Sequence, residues 1–188
     1  NQDILSEFCK NTKCEVLCIQ ETHRDLTAAR PKVSGMKLIA EIPHNKHGSA
    51  VFVRTQTIVS SVETTNVHGI EIITTEIGKC TITSVYKPPN EPIIFSPPTN
   101  FQSEANQLVL GDFNSHSLLW GYADSDANGD AVEAWAKTSS LTLIHDPKLP
   151  PSCHSKVWKR GYNPDIRFSS NNLEDRCTKV VYGPIPKT

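Results

Sequence analysis

Residues 107–121 read QLVLGDFNSHSLLWG, a short apolar run followed at once by a polar segment. The run at 108–110 is typical of a strand that is buried on both faces of a sheet. Gly111 would permit a sharp change of direction after this strand. Three polar side chains then follow at alternate positions, namely Asp112, Asn114 and His116.

In an open α/β sheet, ligands bind beyond the carboxyl ends of the strands. A carboxylate, a carboxamide and an imidazole at that edge can take a proton from water, hold an anionic oxygen or face a metal ion. The alternative is a polar turn in which Asp112 and Asn114 satisfy only backbone groups. This stretch alone leaves both interpretations open.

Three further polar side chains stand at the ends of predicted strands. The apolar run at 16–19 is followed by Glu21, and the run at 80–86 ends with Tyr86 before two prolines that cannot continue a ladder. Asp165 begins a later strand-like segment. Glu21 could instead be a solvated residue that starts a loop, and Tyr86 a core aromatic with a wet hydroxyl. Because such strand ends can converge on one ion, we expect these groups to lie close together.

The rest of the chain predicts several further strands and two helices. Consecutive segments rich in valine, isoleucine and threonine predict a meander of antiparallel strands at residues 49–54, 57–62, 70–77 and 80–86. Residues 24–48 are expected to be loop-like, and residues 90–106 to form an extended surface connection. The other predicted elements are helices at 3–10 and 130–139, the second capped by Asn128 or Asp130, and strands at 141–144 and 180–182.

Residues 150–163, PPSCHSKVWKRGYN, combine basic and aromatic side chains with a glycine that could close a hairpin. Basic groups beside aromatics suit phosphate contact and insertion into a DNA groove. The alternative is an ordinary exposed hairpin whose charges keep it soluble. The basic side chains of this segment are Lys156, Lys159 and Arg160.

Composition limits the class of protein. A chain of 188 residues suits one domain with a sizeable core, and no segment resembles a signal peptide or a membrane-spanning helix. The formal net charge of −1 argues against a protein that coats DNA regardless of sequence, but leaves room for a basic rim around an acidic centre. The six cysteines suggest reduced thiols in an intracellular protein. A zinc site built from Cys9, Cys14 and Cys18 would lack the usual CxxC spacing.

Four short motifs, LCIQET, SVYKPP, LVLGDFN and NPDIRF, occur in one order along the chain. Together they resemble the endonuclease domain of non-LTR retrotransposons, the apurinic-endonuclease-like type of the DNase I-like superfamily. The extended motif GDFNSHSLLWG resembles these retroelement enzymes more than the repair enzymes or phosphatases of the superfamily. The resemblance covers nearly the whole chain and implies an α/β fold, a four-layer αββα sandwich of two mainly antiparallel sheets.

The resemblance also implies roles for the residues at the strand ends. Glu21 would ligate the divalent metal, Mg²⁺ or Mn²⁺ in its place, because its hard oxygens suit such an ion. Asp112 would orient or deprotonate the attacking water, while Asn114 and Tyr86 would lie beside the scissile phosphate. Asp165 would orient a histidine near the carboxyl terminus of the domain.

The same resemblance implies how DNA is bound. His116 would lie close to the DNA phosphates, and the hairpin that runs from Ser152 to Tyr162 would probe a groove and set target preference. The expected partners are double-stranded DNA and the reverse transcriptase domain of the same polyprotein, in the nucleus and without a membrane. Cutting would leave a nick whose 3′ hydroxyl primes reverse transcription.

Two features of the resembled family are missing from residues 1–188. We expect a single endonuclease-like domain that lacks the first strand, which carries an asparagine, and the histidine motif at the carboxyl end. A molecule without that histidine would be catalytically inactive. Two alternatives therefore stay open: a remnant that binds DNA or a protein without cutting, and a phosphoesterase of the same fold that acts on a small phosphorylated molecule or lipid.

Overall fold

The computed structural model describes residues 2–146, 149–154 and 161–182. The helices are α1 (Gln2–Asn11) and α2 (Ala127–Thr138), with 3₁₀ turns at Leu118–Trp120 and Asn171–Arg176. The strands are β1 (Val16–Gln20), β2 (Met36–Ile42), β3 (Ser49–Arg54), β4 (Ser61–Val67), β5 (Ile70–Ile77), β6 (Cys80–Tyr86), β7 (Asn106–Asp112), β8 (Leu141–Leu143), β9 (Cys153–His154), β10 (Gly161–Tyr162) and β11 (Asp165–Ser170).

The strands form two main sheets and a short hairpin. The larger sheet has six strands in the order β4-β5-β6-β7-β11-β8, and the smaller has three in the order β1-β3-β2. Within the described residues, β6 and β7 run parallel, whereas the other paired strands are antiparallel. The connection from β6 to β7 has no helix or strand, as predicted for residues 90–106, but it does not run only over the surface, because Phe101 is buried in the core of the large sheet.

Each sheet is covered on its outer face by one helix. Phe8 of α1 packs against a core on the small sheet that includes buried Phe52. Val132 of α2 packs into a larger core on the six-stranded sheet, together with Trp120 and Phe168. The inner faces of the two sheets contact each other, with β1, β2 and β3 of the small sheet against β4, β5, β6 and β7 of the large one. The four-layer αββα sandwich with two mainly antiparallel sheets is therefore confirmed.

Several predicted elements differ in the structure. Residues 36–42 form strand β2 rather than loop, and the strand predicted at 57–62 begins later, as β4. The meander is split, because β3 belongs to the small sheet while β4, β5 and β6 belong to the large one. β1 is only half-buried along its length, because among the described residues it is an edge strand of the small sheet. Residues 177–182 are irregular and not a strand.

The amino-terminal cap of α2 is Asp126, not Asn128 or Asp130. The Asp126 carboxylate accepts a hydrogen bond from the backbone N–H of Gly129 at 2.6 Å, which satisfies one of the free donors of the first turn. The Asn128 side chain is engaged elsewhere, because its oxygen accepts the backbone N–H of Ile93 at 3.0 Å. The sequence offers several short polar residues here, and the tertiary contact that engages Asn128 is not visible in the sequence.

Gly111 lies inside β7 rather than at a turn, so the predicted change of direction there is wrong. The residue pairs with Val85 on β6 and with Ile166 on β11. A Cβ at Gly111 would lie 1.8 Å from the carbonyl oxygen of Val85. Glycine is therefore required because the backbones of β6 and β7 approach each other closely at this point.

Replacing Gly111 with alanine should destabilise the fold, because the added methyl group overlaps the backbone of β6. We expect a loss of about 4 kcal/mol in the free energy of unfolding, measured by urea denaturation. Gly78→Ala is the matched control, since a Cβ there meets nothing within 4 Å. Its left-handed backbone should cost only about 1–2 kcal/mol. Equal losses in the two variants would contradict the close-approach explanation.

Candidate active site

Three of the predicted site residues lie side by side on adjacent strands. Tyr86 of β6 pairs with Asp112 of β7, and Asp112 pairs in turn with Asp165 of β11. Paired residues project to the same face of a sheet. Their side chains therefore form one row on the inner face of the six-stranded sheet, at the end where β6 and β7 finish.

Glu21 reaches this row from the opposite sheet. It directly follows β1, and its backbone has the left-handed φ of 54° that is uncommon for a residue with a side chain. The hydroxyl of Tyr86 donates a hydrogen bond to Glu21 Oε1 at 3.3 Å. The two sheets thus bring together four of the predicted side chains: Glu21, Tyr86, Asp112 and Asp165.

Asn114 is turned back toward the same place by its own backbone, which has a φ of 42°. Its backbone N–H donates to Asp112 Oδ1 at 3.0 Å, so the predicted Asx-type turn is present. Its side-chain Nδ2 donates to the carbonyl oxygen of Lys87 at 3.0 Å, which fixes the carboxamide beside the end of β6. The turn and the functional interpretation are therefore compatible.

The site concentrates negative charge. Burial is the largest cause of a rise in the pKa of Asp112 to about 6, and the charges of Asp165 and Glu21 raise it further, while the N–H of Asn114 opposes the rise. Burial and the nearby Glu21 carboxylate also raise the pKa of Tyr86. Carboxylates that disfavour one another's charge in this way form an environment that favours a cation.

The donor set fits a hard divalent cation held by few protein ligands. Among residues 2–146, 149–154 and 161–182, no group of three or more His, Cys, Asp and Glu side chains could hold a metal ion. Mg²⁺ usually binds through one or two carboxylates together with substrate phosphates and water, and the Glu21 carboxylate beside Tyr86 is a donor of this kind. The same finding removes the zinc site considered for Cys9, Cys14 and Cys18, whose thiols are free.

His116 lies outside the row of acids. Its Nδ1 is 3.8 Å from Asp126 Oδ2, and its half-exposed ring stacks on Tyr122 with centroids 4.4 Å apart. Tyr122 in turn stacks on Tyr162 of β10 at 5.7 Å. The charges of Asp112 and Asp165 add to burial in raising the pKa of Tyr122, which places this ring near the acids. Sequence reasoning missed Tyr122, although it follows GDFNSHSLLWG directly.

The two strands at the base of the predicted hairpin are present. Cys153 and His154 of β9 pair with Tyr162 and Gly161 of β10, so the glycine lies in a strand and does not close the turn. The backbone N–H of Ser152 donates to Asn163 Oδ1 at 3.2 Å, which ties the hairpin to the start of β11. The predicted DNA contacts Lys156, Lys159 and Arg160 lie outside the described residues.

Three further residues contact the site and were not predicted. Glu71 of β5 pairs with Tyr86 and is buried, and His47 Nδ1 lies 2.9 Å from Tyr86 Oη. Lys87 is fully buried, and its Nζ donates to two backbone carbonyl oxygens of the following turn, each at 2.9 Å. A charged residue inside an apolar strand, as in IEIITTEI, is the one sequence signal that could have indicated Glu71.

A two-sheet sandwich with a row of acids at one end of the inner faces defines a DNase I-like nuclease or phosphoesterase domain. A family model described as endonuclease-reverse transcriptase matches residues 80–184, more than half of the chain. The chain belongs to this endonuclease-reverse transcriptase family, and its domain is of the retrotransposon endonuclease type. No curated protein matches the chain in sequence.

Solved structures share the fold. The chain is similar to the endonuclease domain of TRAS1, a telomere-specific non-LTR retrotransposon, with a TM-score of 0.59 and 16% identity over 92% of this chain and 80% of that one. It is also similar to truncated TDP2 from Caenorhabditis elegans, with a TM-score of 0.54 and 11% identity over 90% of this chain and 75% of that one. No helix in the described parts of the chain is long and apolar enough to cross a membrane.

Replacing Asp112 with asparagine should stabilise the metal-free protein above pH 6. Because the pKa is raised in the folded state, the wild type loses stability as the pH rises from about 4, where the unfolded aspartate ionises, to about 6, where the folded one does. The variant escapes this loss, and its Oδ1 can still accept the N–H of Asn114. We expect a gain of about 2–3 kcal/mol at pH 7.

The measurement is thermal or urea unfolding at pH 3.5 and pH 7 in a chelating buffer. The gain should be present at the higher pH and absent at the lower one. Asp124→Asn, at an exposed position, is the matched control and should change little at either pH. A gain of the same size at both pH values would contradict the electrostatic origin.

Proposed function

We propose that this chain is a Mg²⁺-dependent DNA endonuclease domain, which hydrolyses one phosphodiester of double-stranded DNA. The observation that carries the proposal is the convergence of Glu21, from the small sheet, on the paired row of Tyr86, Asp112 and Asp165. Hydrolysis of a phosphodiester needs an activated water and neutralisation of the charge that builds on the phosphoryl oxygens. The site offers groups for both tasks.

Glu21 and its acidic neighbours would hold the divalent ion, which when bound supplies positive charge to the phosphate oxygens. Asp112 would orient and deprotonate the attacking water. Its pKa of about 6 leaves it ionised at neutral pH, yet makes it a stronger base than an ordinary aspartate. Burial is the largest cause of this shift, and the charges of Asp165 and Glu21 add to it, so the position of the residue inside the row is part of its function.

Asn114 and Tyr86 would donate hydrogen bonds to the scissile phosphate. Both side chains are held in place before the substrate arrives, Asn114 by the Lys87 carbonyl and Tyr86 by Glu21 and His47. The polar atoms of both side chains are therefore in place before the phosphate binds, and only the proton that Tyr86 donates to Glu21 has to turn toward it. Asp165 would orient a histidine of the family's carboxyl-terminal motif, which residues 1–188 do not contain.

DNA would lie over the end of the sandwich where the row of acids is found. The stack of His116, Tyr122 and Tyr162 extends from the loop after β7 to the base of the hairpin, and such rings suit contacts with phosphates and bases. Ser152 lies at the same base, and Lys156, Lys159 and Arg160 would add phosphate contacts. We propose that the domain works beside a reverse transcriptase domain of the same polyprotein, in the nucleus, where the nick's 3′ hydroxyl primes DNA synthesis.

Conversion of supercoiled plasmid to the nicked form tests this function. The natural full-length chain that contains these residues should nick DNA with Mg²⁺, or with Mn²⁺ in its place, and not in the presence of a chelator. Asp112→Ala should lower the rate by about a hundredfold or more, because the water loses its base. Asp124→Ala should leave it unchanged.

Absence of nicking by the folded full-length wild-type protein would overturn the proposal. Retained DNA binding in that case would identify a binding domain without activity. Release of phosphate from small phosphorylated compounds would instead identify a phosphoesterase of the same fold.

A further inference from the structure

The turn between β2 and β3 is built to hold one side chain, that of His47. We name residues 44–49, HNKHGS, the 44–49 turn. His44 Nδ1 accepts the backbone N–H groups of Lys46 at 3.2 Å and of His47 at 3.0 Å. The rings of His44 and His47 stack with centroids 4.7 Å apart and planes 7° apart. The turn therefore fixes both the backbone and the ring plane of His47.

Glu71, on β5 of the large sheet, holds this turn by hydrogen bonds. Its carboxylate is 1% exposed and accepts the backbone N–H of Gly48 at 3.1 Å and the hydroxyl of Ser49 at 2.5 Å. Gly48 has a left-handed φ of 98°, and a Cβ there would lie 2.4 Å from Thr22 Oγ1. The turn is thus bonded to the large sheet and packed against the segment that follows β1.

The 44–49 turn also holds the backbone just after Glu21. The N–H of Thr22 donates to the carbonyl oxygen of Gly48 at 3.0 Å, and the N–H of His23 donates to that of His47 at 2.8 Å. One short turn therefore contacts the chain on both sides of the site. It fixes the segment that carries Glu21, and it reaches Tyr86 through His47.

The contact with Tyr86 defines a direction for its hydroxyl proton. His47 Nδ1 lies 2.9 Å from Tyr86 Oη, and the same oxygen lies 3.3 Å from Glu21 Oε1. A tyrosine hydroxyl has one proton to donate, and an ionised carboxylate can only accept. With the proton directed to Glu21, the Nδ1–H of His47 donates to the tyrosine oxygen.

We infer that His47 is a positioning residue, which acts through Tyr86: by donating to the tyrosine oxygen it keeps the hydroxyl proton on the side of Glu21, where the phosphate would bind. The inference rests on the proposed nuclease function and assigns to it a residue outside the strand-end row. Without His47, the hydroxyl can rotate away from the reacting group. The loss should appear in kcat and leave KM nearly unchanged, because a hydroxyl orientation that matters mainly in the transition state contributes little to ground-state binding.

A double-mutant cycle in the full-length chain tests the inference. His47→Ala and Tyr86→Phe should each lower kcat for plasmid nicking by about tenfold or more, with KM within about twofold of wild type. The double variant should be no slower than Tyr86→Phe, because His47 acts only through the missing hydroxyl. A further full tenfold loss in the double variant, or an effect confined to KM, would overturn the inference.

Two conservative variants separate positioning from packing. In His47→Asn, the side-chain Nδ2 can occupy the place of the histidine Nδ1, so the hydrogen bond and most of kcat should return. His47→Gln places its amide where the histidine Nε2 lay, and kcat should stay low. Equal rates for the two variants would contradict a specific bond from the Nδ1 position.

Thermal unfolding of the same four proteins of the cycle gives a readout that does not depend on cutting. The midpoint shifts of His47→Ala and Tyr86→Phe should be non-additive, because each variant removes the same hydrogen bond. Non-additive shifts in a protein that does not nick would overturn the proposed function but would still support the His47–Tyr86 hydrogen bond. Additive shifts would overturn the His47–Tyr86 contact whatever the activity.

Discussion

The register of β6, β7 and β11 is the constraint on which the site depends. The close approach of Gly111 to Val85 allows β6 and β7 to pair in parallel, and this pairing sets Tyr86 beside Asp112. The antiparallel pairing with β11 then adds Asp165. A slip of one residue would turn these side chains to the apolar face that α2 covers, so the core and the site specify the same register.

The two faces of the large sheet serve opposite purposes. The outer face buries large apolar side chains under α2, which provides most of the hydrophobic stabilisation. The inner face collects acids and hydroxyls whose mutual repulsion and burial cost free energy, as the raised pKa of Asp112 shows. The 44–49 turn joins the two sheets by the hydrogen bonds of Gly48 and Ser49 to Glu71, and it holds the segment after β1 by hydrogen bonds to Thr22 and His23. The acids of the site are thus held in a fold whose stability comes from the apolar core on the outer face of the sheet.

The strand-end residues could be predicted because an apolar run followed by a polar side chain is a local signal. Asp112 and Glu21 are both found in this way, and the helices follow from their apolar spacing. Glu71 carries only the signal of a charge inside an apolar strand, and His47 carries none, because both matter through contacts with Tyr86 that the tertiary structure creates. The assignment of β3 to the small sheet likewise depends on long-range packing, which no local pattern contains.

The proposed function requires a cation site at Glu21, where the two sheets converge. Anomalous scattering from a crystal of the full-length chain soaked in Mn²⁺ tests it most directly. We expect a peak at ligand distance from a Glu21 carboxylate oxygen, on the side that faces Asp112, with its remaining ligands being mostly water. A well-occupied peak elsewhere, with none beside Glu21, would contradict it.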